Sequence, residues 1–333
     1  MKVAVVGLGR WGPRLVTKLR SHVMVDAIYG YDSDTSVQVR MGGELHDVII
    51  ESNYRQIIEN PEIGAVIIAT PVATHFDLAR QALEHDKHVL LEKPLTSSME
   101  DARALVKLAA SRDLRLMVDH ITVYSGVARK LKELIMNDEL GKILYFDAVR
   151  SNLGMLQYDV NVVWDLAIHE FAMLDYLLGE VPAAVTGVGS AHHGSQEEIA
   201  HATLFYRNGV VAHVHVSWIS PIRIRRMVIG GTKNMIVFDD TLDAEKVKLY
   251  DSGVDVSTGH EAQRQDVTYR AIGCRTVEYT SSEPMLAMLD EFFRSITDHR
   301  DPLTDGLAGM RMVGILSAVE KSMRERGATI SLD

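Results

Sequence analysis

The sequence is poor in the features that mark secreted, membrane-spanning and nucleic-acid-binding proteins. Its 333 residues include one cysteine, Cys274, so no intrachain disulfide can form and a reducing compartment fits. The apolar runs, such as residues 65–69, are strand-sized and fall short of the ~18 residues of a membrane span. Acidic residues outnumber basic ones by 45 to 35, which argues against binding a polyphosphate backbone. We expect a cytoplasmic protein that acts on a small molecule, with neither nucleic acid nor membrane as partner.

Hydrophobic periodicity changes near residue 120. Before that point, nearly continuous apolar runs alternate with segments of helical period, a pattern typical of parallel strands joined by crossover helices. Helices are predicted over residues 13–19, 74–83 and 99–110, with Thr74 and Ser98 as the N-caps of the last two. The first part of the chain, residues 1–120, is therefore predicted to be an α/β Rossmann domain.

Beyond residue 120, the pattern changes to a two-residue alternation of polar and apolar residues. The pair Asn208 and Gly209 lies between two such runs, which predicts a β-hairpin. Residues 121–333 are therefore predicted to form an α+β domain on a mostly antiparallel sheet. Further predicted elements are helices over 128–136, 163–178, 283–298 and 305–325 and a strand over 142–149. The helix from about 305 is expected to pack back on the first domain.

A glycine motif follows the first predicted strand. Gly7, Gly9 and Gly12 spell G-x-G-x-x-G, and Pro13 comes next, where a missing N–H at a helix start costs little. The glycines permit a tight turn and close approach of the backbone to a pyrophosphate, whose charge the helix N-terminus stabilises. The motif in this context predicts a dinucleotide cofactor.

The residues after the next strands indicate which dinucleotide binds. Asp32 stands at the end of the second strand, where a carboxylate accepts hydrogen bonds from the adenosine ribose. No arginine follows until Arg40, so a ribose 2′-phosphate would meet repulsion and NAD is favoured over NADP. Thr70, Pro71 and His75 follow a later strand, at the sheet edge where ligands bind in open α/β folds.

Several motifs occur together in a characteristic order. They are GLGRWG, ATPVATH, the EKP of HVLLEKPL, the D-x-x-x-H of DLAIHEF, and the terminal DGLAGMRMVGILSAVEKS. This order resembles that of the Gfo/Idh/MocA oxidoreductases, the family of glucose-fructose oxidoreductase and inositol dehydrogenase, across essentially the whole chain. Three longer runs, HITVYSGVARKLKEL, SNLGMLQYDVNVVWDLAIHE and SWISPIRIRRMVIGGTKNMIVFDD, resemble the branch related to UDP-N-acetylglucosaminuronic acid 3-dehydrogenase.

The resemblance implies an NAD-dependent dehydrogenase that transfers a hydride at a CH–OH carbon of a sugar or nucleotide sugar, with C3 suggested by the branch. Lys93, Asp165 and His169 would meet the reacting carbon. A neutral imidazole suits the removal of a hydroxyl proton, so His169 is the candidate base. Lys93 would stabilise the negative charge on oxygen and Asp165 would orient the site, although Lys93 and His169 could exchange roles.

The same resemblance assigns the remaining site residues and an assembly. Cofactor contacts are expected from Gly7, Gly9, Arg10, Trp11, Gly12, Asp32, Thr70, Pro71, His75, Glu92 and Lys93. Substrate contacts are expected from Lys93, His120, Tyr124, Asn152, Asp165 and His169. The resemblance also implies that the second domain, residues 121–333, binds the substrate and forms the contacts of a homodimer or homotetramer.

Two alternatives to this function remain open, namely a non-catalytic sensor of NAD and sugar and an NAD-assisted glycosidase. No metal site is expected, since His169 and Glu170 are not followed by the second histidine of H-E-x-x-H. His213 and His215 share a strand face, and because the sequence places no third ligand there, contact with water or another subunit is favoured over a metal site. The strand arginines Arg223, Arg225 and Arg226 are either anion contacts or solvated charges.

Overall fold

The chain divides into two compact units in a computed structural model that describes residues 1–154, 156–157, 159–258 and 265–332. The first unit contains Met1–Ser125 and Ser282–Gly314, and the second contains Gly126–Ser281 and Ile315–Asp333. No helix in the described ranges combines the length and hydrophobicity that a bilayer span needs.

The first unit is built on a parallel sheet of six strands in the order β3-β2-β1-β4-β5-β6. Its strands are β1 (Lys2–Val6), β2 (Ala27–Tyr31), β3 (Val48–Ile50), β4 (Ile63–Ile68), β5 (His88–Glu92) and β6 (Leu116–Asp119). The central strands are buried along nearly their whole length because helices cover both faces, which explains their continuous apolar runs. This strand order is that of a dinucleotide-binding Rossmann domain, as the sequence predicts.

Helices in the described residues are α1 (Gly12–Leu19), α2 (Thr35–Glu44), α3 (Tyr54–Glu59), α4 (His75–Glu84), α5 (Met99–Ser111), α6 (Gly126–Met136), α7 (Ile168–Leu178), α8 (Pro284–Thr297) and α9 (Gly306–Arg324). Within the first unit, the beginning of α9 lies against β6. A Cβ atom on Gly309 would come 2.6 Å from Val118 Cγ2, so only glycine allows this approach.

One of the two predicted N-caps is confirmed and the other is wrong. The Asp101 N–H donates to Ser98 Oγ over 3.1 Å, which caps α5. Thr74 makes no capping bond to α4 because it has helical dihedrals, as the last residue of a 3₁₀ turn at Val72–Thr74. Its hydroxyl donates back to the Pro71 carbonyl over 2.8 Å.

The second unit contains a sheet of nine strands among the described residues, in the order β14-β13-β12-β11-β7-β10-β9-β8-β15. The strands are β7 (Ile143–Leu153), β8 (Ala184–Ser190), β9 (Ile199–Phe205), β10 (Val211–Ser217), β11 (Ile219–Gly231), β12 (Met235–Asp239), β13 (Val247–Thr258), β14 (Gln265–Thr276) and β15 (Ile330–Ser331). Among the strand pairs of the described residues, only β7–β10 is parallel, so the predicted mostly antiparallel sheet is confirmed.

The predicted hairpin and helix of this unit are present, with one difference in the helix. β9 and β10 form the antiparallel hairpin, and Gly209 has a φ of 89° in its turn. The predicted helix over 163–178 begins instead with a π-helical turn at Val163–Ala167 and continues as α7. Asn161 Oδ1 accepts the backbone N–H groups of Val163 and Trp164 at 3.1 and 3.3 Å and so fixes the start of this turn.

Candidate active site

The three motif glycines form a compact loop between β1 and α1. Gly7 has a φ of 90°, and a Cβ there would lie 2.5 Å from the Ala69 carbonyl oxygen. A Cβ on Gly12 would lie 2.1 Å from the Gly7 carbonyl oxygen, whereas one on Gly9 would meet nothing within 4 Å. Gly7 therefore packs the loop against Ala69, Gly12 closes the loop on the Gly7 carbonyl, and Gly9 leaves the outer side open to a ligand.

The surroundings of this loop fit a dinucleotide. The Asp32 carboxylate accepts the Leu8 N–H at 2.7 Å and the Asp34 N–H at 2.9 Å, so it is held at the carboxyl end of β2 beside the loop. Helix α1 has no acidic residue in its first turn and no side-chain cap, which leaves its N-terminal amides for an anion. Trp11 is 40% exposed, with the Arg14 guanidinium 4.7 Å from its ring centroid.

His75 connects two of the strand ends. Its Nδ1 lies 2.8 Å from the Pro94 carbonyl oxygen and its Nε2 lies 2.9 Å from the Thr70 carbonyl oxygen. A neutral imidazole donates from one nitrogen only, while burial lowers the pKa of His75 and disfavours the ring that could donate to both. The contacts position the loop after β5, and direct contact of His75 with the cofactor stays a prediction.

A carboxyl pair lies at the ends of β5 and β6, where Glu92 and Asp119 are register partners. Burial raises the pKa of both groups, and the neighbouring Glu92 charge raises that of Asp119 further. The charge of Lys93 opposes this rise at Glu92, whose carboxylate also accepts the Lys93 backbone N–H. The pKa of Asp119 is therefore raised well above the ordinary value of an aspartate. Asp119 was not among the predicted site residues, although its place at the end of the strand after EKP could have indicated it.

His120 and Tyr124, predicted to bind substrate, are both buried in the first unit. Burial, followed by the charges of Lys93 and Arg311, lowers the pKa of His120 to about 3, so its imidazole is neutral. Neither ring nitrogen of His120 has a hydrogen-bond partner among the described residues. Tyr124 donates to Thr304 Oγ1 over 2.8 Å, because the Thr304 hydroxyl itself donates to the Val118 carbonyl. The ring of His120 is thus the more available of the two for a ligand.

In the second unit, Asp165 and Asn152 come together around Trp218. The Trp218 indole Nε1 donates to Asp165 Oδ2 over 2.9 Å. A Cβ placed on Gly154 would lie 2.7 Å from Asn152 Nδ2 and 3.6 Å from Trp218 Cδ1, so the side chains of Asn152 and Trp218 border the same point. Trp218 was not predicted, because 53 residues separate it from Asp165 and no local pattern joins them. His169 lies in the first turn of α7, one turn after Asp165.

The histidine-bearing strands β9 and β10 carry a separate polar face. His201 and His215 stack with ring centroids 4.2 Å apart, and His213 Nδ1 lies 3.1 Å from Thr203 Oγ1. A shallow concavity there includes Asp147. No group of three or more potential ligands with metal-binding geometry occurs within the described part of the chain.

Comparisons with known proteins decide the family. The model of the Gfo/Idh/MocA oxidoreductases with an NAD-binding Rossmann fold matches residues 1–120, and that of the family's C-terminal alpha/beta domain matches residues 132–332. The chain belongs to the Gfo/Idh/MocA family. The resemblance noted in the sequence is thus confirmed, together with NAD as the cofactor and oxidoreduction as the class of reaction.

Several characterised Gfo/Idh/MocA proteins match along nearly the whole chain. UDP-N-acetylglucosamine 3-dehydrogenase of Acidithiobacillus ferrooxidans is 26% identical over 94% of each chain, and its crystal structure superposes with a TM-score of 0.81 over 98% of each chain. Myo-inositol 2-dehydrogenase of Thermotoga maritima is 24% identical over 98% of this chain and 97% of its own. An oxidoreductase from Agrobacterium radiobacter, solved with NAD⁺, L-tartaric acid and magnesium, shares the fold at 18% identity, with a TM-score of 0.82 over 100% of this chain and 98% of its own.

Proposed function

We propose that this protein oxidises a secondary alcohol of a sugar, sugar derivative or nucleotide sugar, at C3, with NAD as hydride acceptor. The observation that carries the proposal is the position of Lys93, which directly follows β5 at the carboxyl edge of the sheet that bears the glycine loop. Ligands of open α/β sheets bind at this edge. Matches to relatives named as sugar and inositol dehydrogenases support the substrate class.

Each of the three proposed catalytic residues has a distinct role in the reaction. NAD, which the glycine loop and Asp32 would hold, would supply the acceptor for the hydride that leaves the alcohol carbon. His169 takes the hydroxyl proton, and the C–O bond becomes a carbonyl. Lys93 donates a hydrogen bond to that oxygen and stabilises its developing negative charge. Asp165, held by Trp218, orients the substrate hydroxyl and the base.

The remaining predicted contacts belong to the same proposal. NAD is assigned to Arg10, Trp11, Thr70, Pro71 and Glu92 beside the glycines and Asp32, and the substrate to His120, Tyr124 and Asn152. We propose that residues 1–120 bind the cofactor and that residues 121–333 bind the substrate. We also propose a cytoplasmic location, which fits a chain whose one cysteine, Cys274, is exposed and free.

We also propose a homodimer or homotetramer. The half-exposed face of β10, which carries His213 and His215, is the proposed contact surface. Light scattering coupled to gel filtration measures the assembly, and a monomeric mass at micromolar concentration would contradict this part of the proposal.

The test of the reaction is NADH formation with a panel of UDP-sugars, free hexoses and inositols, followed by absorbance. We expect stoichiometric NADH with at least one of them, and mass spectrometry of the product should show a loss of two hydrogens. A glycosidase would release sugar without net NADH, and a sensor would do neither. Either result, obtained with protein that binds NAD, would contradict the proposed dehydrogenase activity.

A further inference from the structure

Two arginines of the second unit face each other across neighbouring strands. Arg225 on β11 is the register partner of Arg150 on β7. Side chains directly opposite in an antiparallel pair lie about 4.5–5.5 Å apart at their Cβ atoms, and like charges placed there destabilise the sheet. An arrangement that costs folding free energy calls for a compensating anion.

The nearby carboxylates compensate the charge of Arg225 only in part. Glu170 pairs with Arg150, whose Nε lies 2.6 Å from Glu170 Oε1. Asp240 accepts from Lys246 Nζ at 2.9 Å and stays 3.8 Å from the Arg225 guanidinium, beyond hydrogen-bond distance. Within the described residues, the Arg225 side chain donates no hydrogen bond.

Arg223 adds a third positive charge to this group. It lies two residues before Arg225, is exposed, and forms no ion pair within the part of the chain that the structure describes. Burial lowers the pKa of the Arg225 guanidinium, and repulsion from Arg150 and then Arg223 lowers it further, which places all three cations close together. Asp240 is shared between Lys246 and Arg225, and Glu170 is bound by Arg150, so four cations meet two carboxylates and Arg223 and Arg225 are only partly compensated.

The sheet face on which Arg225 lies is the one that carries the proposed active site of this unit. Met227 and Ile229 follow it on the same face and are buried, opposite Ala148 and Phe146 of β7. Arg150 and Asn152 continue the β7 row beyond this core.

Arg150 links this row to α7. Glu170, its partner, is the residue after His169. Arg150 and Arg225 thus lie where the buried row of the sheet ends, and Arg150 contacts α7, the helix that bears the proposed base.

We propose that Arg223 and Arg225 bind a phosphate of the substrate, so that the sugar oxidised is a nucleotide-activated one. Guanidinium groups bind phosphate through paired, charge-assisted hydrogen bonds, and two of them suit a diphosphate. This inference rests on the proposed function, since it assigns a substrate class to that site. Arg226 serves as the comparison, because it is paired with Val149 and therefore lies on the other face of the sheet from Arg225.

The test measures the affinity for UDP, used as the probe, by calorimetry at low ionic strength and saturating NADH, which occupies the cofactor loop. Arg225→Gln is expected to weaken UDP binding about tenfold or more, and Arg225→Lys less, since the charge remains. Arg226→Gln is the matched control and is expected to bind UDP within twofold of the wild type. If Arg225→Gln does not fold, Arg223→Gln, at an exposed position, carries the same expectation.

Several outcomes would overturn this assignment. They are wild-type protein that does not bind UDP, equal affinities of wild type and Arg225→Gln, and an equal loss in Arg226→Gln. Binding of glucuronate in place of UDP would assign the arginines to a sugar carboxylate and refute the phosphate site. If UDP binding depends on Arg225 but no sugar yields NADH, the dehydrogenase proposal fails alone. If free sugars yield NADH and UDP does not bind, the phosphate proposal fails alone.

Discussion

The polar groups of the two units are assembled in different ways. In the first unit, the glycine loop, Asp32 and the Glu92–Lys93 pair each end a strand of one parallel sheet, so a fixed strand order gathers short motifs at one edge. In the second unit, contacts such as Trp218 with Asp165 and Arg150 with Glu170 join distant parts of the chain. The first arrangement follows from local sequence, while the second depends on how the antiparallel sheet and α7 pack.

The largest expected loss of activity follows removal of the Lys93 ammonium group. Lys93→Ala should lower kcat by about a hundredfold to about a thousandfold, the usual effect of losing one donor to a developing oxyanion. NAD affinity should stay within a few fold, because the glycine loop and Asp32 are intact. Stopped-flow NADH formation and NAD titration measure the two quantities. Lys107→Ala, on the exposed face of α5, is the control, and turnover of Lys93→Ala equal to that control would refute the role.

Two glycine substitutions should separate folding from cofactor binding in the first unit. Gly7→Ala combines a positive φ with a backbone contact at 2.5 Å and should reduce the free energy of unfolding by about 2–4 kcal/mol. Gly9→Ala meets no atom of the described residues within 4 Å, so it should fold normally and bind NAD about tenfold more weakly. Urea unfolding and NAD titration give both values. Equal stability losses in the two variants would contradict this division of roles.

A conservative change should test the long-range contact of the second unit. Trp218→Phe keeps most of the aromatic surface and removes the indole N–H that Asp165 accepts. A charge-assisted hydrogen bond contributes about 1.5–3 kcal/mol, so kcat should fall about tenfold or more, with little change in the KM for NAD. An unchanged kcat with the best sugar would show that Asp165 needs no support from Trp218. Trp164→Phe, in the π-helical turn, is the control for the loss of an indole.

The smallest predicted effect concerns the carboxyl pair. Since the pKa of Asp119 in the folded protein is raised above its unfolded value near 3.8, its contribution to stability is complete below that value. This contribution is lost as the pH rises through the folded pKa. Asp119→Asn cannot ionise, so its Tm should exceed that of the wild type by a margin that grows above pH ~4. Asp243→Asn, at an exposed position, should parallel the wild type in scanning calorimetry; parallel curves for Asp119→Asn would contradict the raised pKa of Asp119.

The sequence predicted what depends on neighbouring residues. The parallel strands, the glycine loop and the cap at Ser98 each follow from residues a few positions apart. The cap at Thr74 was wrong because a preceding 3₁₀ turn, which no pattern indicated, already gave it helical dihedrals.

What the sequence missed depends on long-range pairing. Asp119 meets Glu92 only because β6 pairs with β5, and Arg225 faces Arg150 only because β11 pairs with β7. The register of such pairs is set by the packed sheet rather than by any local spacing. A description of the chemistry at these positions therefore required the coordinates.

Helix α9 has a practical consequence for dissecting this protein. It begins in the first unit and passes into the second after Gly314, and the chain also crosses at Ser125 and at Ser281. No truncation at one position can therefore yield either unit intact. To study one unit alone, its two chain segments would have to be joined in a new gene. A stop codon anywhere before α9 would leave both units incomplete.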